Sequence, residues 1–503
     1  MTNAFDELES EKFSKVAVLD IGSNSFHLVV ARIVAGSVQI IHKAKQKVRL
    51  ADGLSDDYLL SQDAIQRGID TLQVFKASLA GFEPESVRIV ATYTLRKAKN
   101  AWQFIDAAKD VFPYPVEVVS GQEEARLIFN GVAHTAQLSQ TSLIIDIGGG
   151  STELALGKEF TPQILRSLDM GCVSFNKQFF KHGDVKKKNF DRAITTAQQR
   201  LELVEEKYLN IGWKNCIGTS GTIESIYQLC AKGQLGYQLN LKDLLALKEK
   251  LIELKTPDNF KFDEVSEDRR PILAAGLAIL IGVFKSLHIK GMSFNSAALR
   301  EGAIYEMEAS LSHGDIRERS AQSLATRYSV DIEHAQRVLT TCFDLYKHSK
   351  TDWKLHDKKH KAIIGWAALL HEVGLQINSK GVQKHSCYIL RNTELPGFNS
   401  EQQEFLALLN LMQRKKVRIE ALPRFGQYSQ LEFLKCMIIL RLAVLLNVKR
   451  QNDFVPELNF EVNGFDIALS FPAQWLNDHP IIKADLEREK KRYQTFGFHL
   501  TLS

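Results

Sequence analysis

The chain has 503 residues, of which 45% are hydrophobic and 24% charged, with a formal net charge of +5. That length is too great for one core and sets an expectation of three or four domains in a soluble globular protein. The six cysteines (172, 216, 230, 342, 387 and 436) show no CxxC spacing, which argues for reduced thiols in a cytoplasm and against disulfide scaffolds and zinc modules.

The N-terminus, MTNAFDELESEKFS, is acidic and lacks an apolar centre, so it does not read as a signal peptide. Residues 16–30, VAVLDIGSNSFHLVV, then read as strand, tight turn, strand, with Asp20, Gly22, Ser23, Asn24 and Ser25 in or beside the turn. Val38–Val48 is a third strand. Asp63–Ala80 has the apolar spacing of an amphipathic helix, Val87–Thr92 is a buried strand, Asn100–Val111 a helix and Val116–Val119 a strand. Residues 16–119 thus read β-β-β-α-β-α-β, an α/β layer with helices covering a mixed sheet. Ser120–Arg126 (SGQEEAR) opens a helix running through Ala133.

The order then restarts. Leu143–Gly157, LIIDIGGGSTELALG, repeats the first hairpin 126 positions later, with Asp146, then Gly148, Gly149, Gly150 and Ser151, then Glu153. A third strand near 161–168, helices at 189–208 and 241–254, a turn Gly218–Thr222 opening a helix, a strand at 292–295 and a helix Ala298–Ala309 follow. The longest apolar-plus-glycine run, Ile272–Phe284, is too short to span a bilayer and reads as a buried helix. From about His313 the segments 315–348, 361–377, 400–414 and 431–448 show helical periodicity, with loops at Leu395–Gly397 and Leu422–Pro423. Strands at Leu458–Val462 and Phe465–Phe471 and a charged helix Ile482–Tyr493 close the chain.

Two copies of an acidic glycine turn suggest a duplicated fold with a ligand between the copies. Glycine accepts φ > 0 and lets a ligand approach the backbone, and a row of exposed N–H groups makes an anion nest. Gly22–Ser25, Gly148–Ser151 and Gly218–Thr222 (with Ser220, Gly221 and Thr222 at a helix start) are three such nests, and the third adds the helix dipole. Asp146 and Glu153 bracket the second nest, where a hard cation such as Mg²⁺ could bridge them to phosphate. Glu123 or Glu124, at the entry of a helix linking the two halves, could orient or deprotonate water, and Arg96 after a strand end could neutralise phosphate charge. The chemistry alone does not choose between the two glutamates. Residues 1–309 hold 37 basic against 38 acidic side chains, and residues 310–503 hold 27 against 21, so the basic excess lies in the second part. Such a surface attracts polyanions.

The ordered motifs DIGSNSFHLVV, ATYTLRKAKN, SGQEEARLIFNGV, DIGGGSTELALG, MGCVSF, GTSGTI and ALREGAIYEME resemble the exopolyphosphatase/guanosine pentaphosphate phosphatase (Ppx/GppA) family, in register from about residue 15 to beyond 470. KQKVRLADGL, LHEVGLQIN and HSCYILRNTELPGFNSEQQ resemble its long exopolyphosphatase members. The resemblance implies an α/β fold: duplicated actin-like (ribonuclease H-like) domains at 12–128 and 129–309, an all-α HD-like domain at 310–425 and a small α+β domain at 426–503. It implies Glu124 as the catalytic glutamate, Arg96 assisting, Asp146 and Glu153 with Asp20 nearby as Mg²⁺ ligands, and the turns of Ser23, Asn24 and Ser25 and of Gly148 and Gly149 on phosphate. The expected activity is processive removal of terminal orthophosphate from inorganic polyphosphate. The alternative is a guanosine pentaphosphate (pppGpp) 5′-phosphohydrolase, binding guanosine penta- or tetraphosphate. A nucleotide-dependent kinase and a non-catalytic polyphosphate or alarmone sensor are further rivals. The expected partner is a second copy of the chain, with no nucleic acid, in the cytoplasm; contact with the inner face of the membrane stays open.

Two departures stand out. Ala297 takes a position where glycine is common, which questions the third nest's geometry. In the helical region His334, His371 and His385 lie on or near helices, and the His-Asp pair of HD-type enzymes appears as His371–Glu372. A longer acid shifts ligand geometry, so this module reads as a scaffold without its own metal.

Overall fold

The computed structural model describes residues 14–503 except 35–36, 137, 235, 314–315, 357, 394 and 396. The expected start of the first domain at residue 12, the acidic stretch 1–13 and Pro396 lie outside the described residues. The chain divides into two compact units, residues 1–314 and 315–503.

In the first unit, β1 (Ser14–Ile21), β2 (Ser25–Val34) and β3 (Ser37–Lys47) form an antiparallel meander, and β4 (Val87–Ala91) and β5 (Val116–Val118) add in parallel to give the order β3-β2-β1-β4-β5. The second sheet copies it. β6 (Ser142–Ile147), β7 (Thr152–Lys158) and β8 (Thr161–Leu168) are the meander, and β9 (Asn215–Thr219) and β10 (Ser293–Phe294) complete the order β8-β7-β6-β9-β10. The duplication expected from the two hairpins is therefore present strand for strand.

The side-chain period of two explains why the central strands carry apolar runs, Val16–Leu19 in β1 and Leu143–Ile145 in β6, with cores on both faces. Ala17, Leu19 and Ile21 of β1 enter the core beneath α1 (Gln62–Ser78), while Val16 and Val18 enter a different core. Leu143, Ile145 and Ile147 of β6 likewise face one core and Ile144 the other. That shared core receives both sheets and two helices, one at Gly121–Thr135 and one at Leu299–His313. The two helices cross closely because each carries glycine there. A Cβ on Gly302 would lie 1.8 Å from the Leu127 carbonyl oxygen, and one on Gly131 2.3 Å from that of Ala298. Gly302→Ala is expected to lower unfolding stability by on the order of 3 kcal/mol, read as a lower denaturation midpoint at unchanged slope.

Between these elements lie α2 (Tyr93–Lys97), α3 (Ala101–Val111) and α4 (Gly121–Thr135), followed by α5 (Cys172–Phe179), α6 (Lys187–Leu201), α7 (Glu205–Ile211), α8 (Ser220–Ala231), α9 (Leu241–Leu254), α10 (Arg270–Ser286) and α11 (Leu299–His313). The run Ile272–Phe284 is the buried heart of α10. The expected helix 189–208 is two helices, broken at 202–204 where Leu203 is 88% exposed. The short helices α2 and α5 escape periodicity because they are five and eight residues long.

The second unit is built on α12 (Ile316–Arg327), α13 (Ile332–Ser349), α14 (Lys358–Leu369), α15 (Val382–Asn392), α16 (Ser400–Met412) and α17 (Gln430–Leu446). A sheet of β11 (Asn459–Asn463), β12 (Asp466–Ser470) and β13 (His499–Leu502) and the helix Pro480–Gln494 follow. One hydrophobic core runs from Ala321 to Leu500 and includes α17, so the border expected at 425/426 falls inside it. Arg441 and Glu489 form a buried ion pair within this unit at 2.7 Å. No helix among the described residues is long and apolar enough to cross a membrane.

Candidate active site

The first unit contains a cavity of about 180 Å³ between its two sheets. That is far more than the ~10–15 Å³ one water needs. Its walls come from the two β-hairpin turns, the start of α8, the entry of α4 and the loop before α11. Asp20, Gly22, Ser23, Asn24 and Ser25 line one side, and Asp146, Gly148, Gly149, Gly150 and Ser151 the other, with Ser220, Gly221, Thr222 and Glu124 completing it. The two turns touch: a Cβ on Gly149 would lie 2.9 Å from that of Ser23.

The glycines serve close approach rather than unusual torsions. None of Gly22, Gly148, Gly149 and Gly150 has positive φ, contrary to one reason expected for them. Instead a Cβ on Gly150 would fall 2.0 Å from the Tyr93 ring, and one on Gly221 1.9 Å from the Arg269 guanidinium. The left-handed residue in the site is Ser220, at φ 73°, whose hydroxyl donates to the Ile147 carbonyl at 3.1 Å. Ala297 is not among the positive-φ residues, and its carbonyl accepts from the Thr219 hydroxyl at 2.6 Å. Alanine therefore fits there without torsional strain.

The two neighbouring glutamates part company. Ser120 caps α4 through its hydroxyl, and Glu124 turns into the cavity while Glu123 turns away. Glu123 is paired with Arg126 at 2.7 Å, and Arg126 and Arg88 both reach Glu306 on α11 at 2.7 and 2.8 Å. This buried network ties α4 to α11. Glu123→Gln is expected to lower stability by about 3 kcal/mol with little change in catalytic pH dependence, checked by chemical denaturation alongside a pH–rate profile.

Arg96, on α2, donates to Glu124 at 2.9 Å and to the Val119 carbonyl at 3.1 Å, and it stands behind the cavity wall rather than in it. Its side-chain partner here is thus the glutamate, through which it is positioned to act. Glu153 also lies behind the wall, 1% exposed, directly opposite Asp146 in the β6–β7 pair. Its Oε1 accepts from the Ser167 hydroxyl at 2.7 Å, and its Oε2 is buried without a partner.

Burial raises four carboxyls, and repulsion between neighbours adds to it for Asp20, Asp146 and Glu153. Asp146 is pushed up to about 7 by burial and then by Glu124 and Asp20, against Arg300 and Arg269. Asp20 reaches about 7 through burial, moderated by Arg300 and raised by Glu124 and Glu301. Glu153 is pushed well up by burial, Glu124 and Asp146, and Glu124 is raised by burial although Arg96 opposes it. An all-oxygen set of carboxylates that repel one another, one with an orphaned oxygen, suits a hard divalent cation. Asp20 and Asp146, which line the cavity, are the carboxylates whose chemistry fits Mg²⁺ there.

Arg269, Arg300, His27 and Tyr93 also line the cavity and were not singled out from the sequence, although His27, Tyr93 and Arg300 sit inside three of the motifs quoted above. Burial, and then the cations Arg300, Lys45 and Arg269, push His27 down to about 2, so its ring is neutral. An isolated arginine before an apolar helix carries no sequence signal; only the fold brings Arg269 to Gly221.

A duplicated five-stranded α/β layer closing two glycine turns over buried carboxylates and arginines defines an actin-like phosphoryl-handling protein. Residues 29–311 match the model of the Ppx/GppA phosphatase family and residues 316–490 that of Ppx/GppA phosphatase domain III. The chain belongs to the Ppx/GppA family of hydrolases. It is 38% identical over 485 residues, 96% of each chain, to the guanosine-5'-triphosphate,3'-diphosphate pyrophosphatase of Pseudoalteromonas atlantica. It is 36% identical to the protein of the same name from Aeromonas hydrophila, over 96% of this chain and 97% of that one. Among solved structures, the Aquifex aeolicus family member aligns with a TM-score of 0.53 at 25% identity, covering 60% of this chain and 99% of its own. An exopolyphosphatase from Cytophaga hutchinsonii aligns at 0.54 and 25% identity, covering 58% and 97%.

These relatives correct the expectation of an exopolyphosphatase acting on inorganic polyphosphate. Five curated relatives at 35–38% identity over 96–97% of the chain carry the pyrophosphatase name, whereas the likeness to the exopolyphosphatase structure is lower and confined to 58%. The physical reason for the difference is that turns suited to phosphate do not distinguish polyphosphate from pppGpp, since both end in a phosphoanhydride.

Proposed function

We propose that the protein hydrolyses the 5′-terminal phosphate of guanosine 5′-triphosphate 3′-diphosphate, leaving the tetraphosphate and orthophosphate. The observation that carries this reading is the full-length similarity to proteins named for that activity. The cavity chemistry agrees with it. Phosphoryl transfer asks for positioning and charge neutralisation more than covalent catalysis. The turn of Gly22–Ser25, the backbone of Gly149–Ser151 and the start of α8 cradle the terminal and penultimate phosphates, while the Gly148 N–H closes its own turn on the Ser151 carbonyl at 2.9 Å. Arg269 and Arg300 offset their charge.

Glu124 orients the attacking water and takes its proton, with Arg96 fixing the carboxylate's direction from behind. A carboxyl raised by burial is a stronger base than a free one, which suits work near neutral pH. Asp146 and Asp20, which line the cavity, would hold Mg²⁺, with Glu153 beside Asp146 on the neighbouring strand; when bound, the ion would supply charge neutralisation at the phosphate oxygens. The proton taken by Glu124 returns to solvent or to the departing phosphate oxygen.

The test is orthophosphate release with Mg²⁺ from the pentaphosphate, GTP and long polyphosphate side by side. The expected order places the pentaphosphate first in kcat/KM. Equal or faster release from polyphosphate, or none from the pentaphosphate, would overturn the reading.

A further inference from the structure

The second unit holds a polar cluster that the phosphate cavity does not use. His334 on α13 and His371 and Glu372, just after α14, each offer a ligand atom, and these atoms lie within 4.8 Å of one another. Both imidazoles are sealed in, at 3% and 1% exposure. Their rings stand 5.2 Å apart between centroids.

The nitrogen atoms are the informative feature. His371 Nδ1 lies 2.7 Å from the Ala368 carbonyl, which can only accept, so Nδ1 carries the proton and Nε2 presents a lone pair. That Nε2 is buried with no hydrogen-bond partner, and so is His334 Nδ1. Two orphaned imidazole nitrogens in one buried cluster are a cost that native structures rarely leave unexplained. His334 Nε2 stands 4.0 Å from a Glu372 oxygen. Burial lowers both rings' proton affinity, His371 to about 4, which keeps them in the neutral form that metals bind. His371–Glu372 is the pair whose longer acid spoke against a metal in the sequence. In the fold that longer arm brings its carboxylate to the two rings.

One cation is already present. Arg450 Nη2 donates to both Glu372 oxygens at 2.6 Å, and its Nη1 reaches Asp331 at 3.1 Å. The Arg450 side chain is 40% exposed, so it can leave towards solvent. We propose that His334, His371 and Glu372 bind one divalent transition-metal ion of the zinc class, and that Arg450 competes with that ion for the Glu372 carboxylate. Two imidazoles and one carboxylate favour Zn²⁺ or Co²⁺ over Mg²⁺, and leave a coordination position open. The site is separate from the phosphate cavity, and its fate does not depend on which nucleotide that cavity cleaves.

The experiment titrates the full chain with Zn²⁺ against a chromogenic chelator, and with Co²⁺ while its d–d absorption is recorded. One high-affinity ion is expected in the wild type beyond what H371Q or H334Q retains. R450A should tighten that ion by about tenfold, the scale on which groups around a ligand tune affinity. E372Q, at a partly exposed carboxylate, should weaken it and covers the case in which a histidine variant fails to fold. Identical stoichiometry and affinity in wild type, E372Q and R450A would overturn the proposal. Binding that E372Q weakens but R450A leaves unchanged would overturn the competition by Arg450.

Discussion

Glu124→Gln is expected to reduce kcat for orthophosphate release by roughly 10²–10⁴-fold, the usual contribution of a positioned general base. The amide preserves size, and Arg96 keeps the Val119 carbonyl as a partner, so folding and substrate binding should survive. The informative comparison is Glu123→Gln. Its carboxylate serves the Arg126–Glu306–Arg88 network, so its loss should appear mainly as lower stability. Rates for both variants, with KM and denaturation midpoints measured in parallel, separate the roles. A Glu124→Gln enzyme with near-normal kcat beside an inactive, stable Glu123→Gln enzyme would reverse the assignment. Arg96→Ala should fall between them, losing kcat more than KM, because it removes the group that directs Glu124.

Asp146→Asn is expected to make the metal-free chain more stable at pH 8 while abolishing Mg²⁺-dependent activity. The sign follows from the shift. The ordinary value for this carboxyl is 3.8 and the folded value about 7, so the folded state holds the proton more tightly. Stability from this group is therefore intact below about pH 4, is lost as pH rises towards 7, and stays lost above it. At pH 8 the cost is on the order of 4 kcal/mol before solvent in the cavity reduces it. Asn removes the charge and recovers part of that cost; at pH 4 the variant should gain nothing. Mg²⁺ should raise the melting temperature of the wild type at pH 8 more than at pH 5, and that difference should shrink in Asp146→Asn. A wild-type melting temperature that ignores Mg²⁺ at both pH values would remove Asp146 from the cation site. This is the expected signature of a site whose carboxyls are held together at the expense of stability.

The two halves of the catalytic unit show what each level of description can reach. The hairpins at 16–30 and 143–157 were readable because strand alternation, turn residues and repetition coincide within fifteen residues. The strands β1, β2, β6 and β7 follow them closely, and even the third strand 161–168 matches. The three nests and the acids beside them converge on one cavity, as local chemistry suggested. Arg96 and Glu153 are different. Both lie in or beside the quoted motifs, but their side chains end behind the wall, one on Glu124 and one across the β6–β7 pair from Asp146. Residue type names the chemistry, while side-chain direction follows from the packing of α2, β7 and β8. The substrate was also beyond the motifs, since they report a terminal phosphate and not what is attached to it.

Sequence alone thus determined the duplication, the glycine turns and acidic residues that gather at one cavity, and the helical character of the second unit. All of these are written in spacings of two and 3.6 residues, or in short runs of glycine, serine and acid. Tertiary structure decided which of Glu123 and Glu124 faces the cavity, what Arg96 touches, that Arg269 and Arg300 line that cavity, and that His334 joins His371 and Glu372. Those facts depend on which helix packs against which strand, and contacts between residues far apart in the chain leave no local pattern to read. The glycines of the second hairpin show both levels at once. Their presence announced a phosphate turn, but their use, leaving room for Tyr93 and Ser23 rather than adopting φ > 0, was settled only by what packs against them.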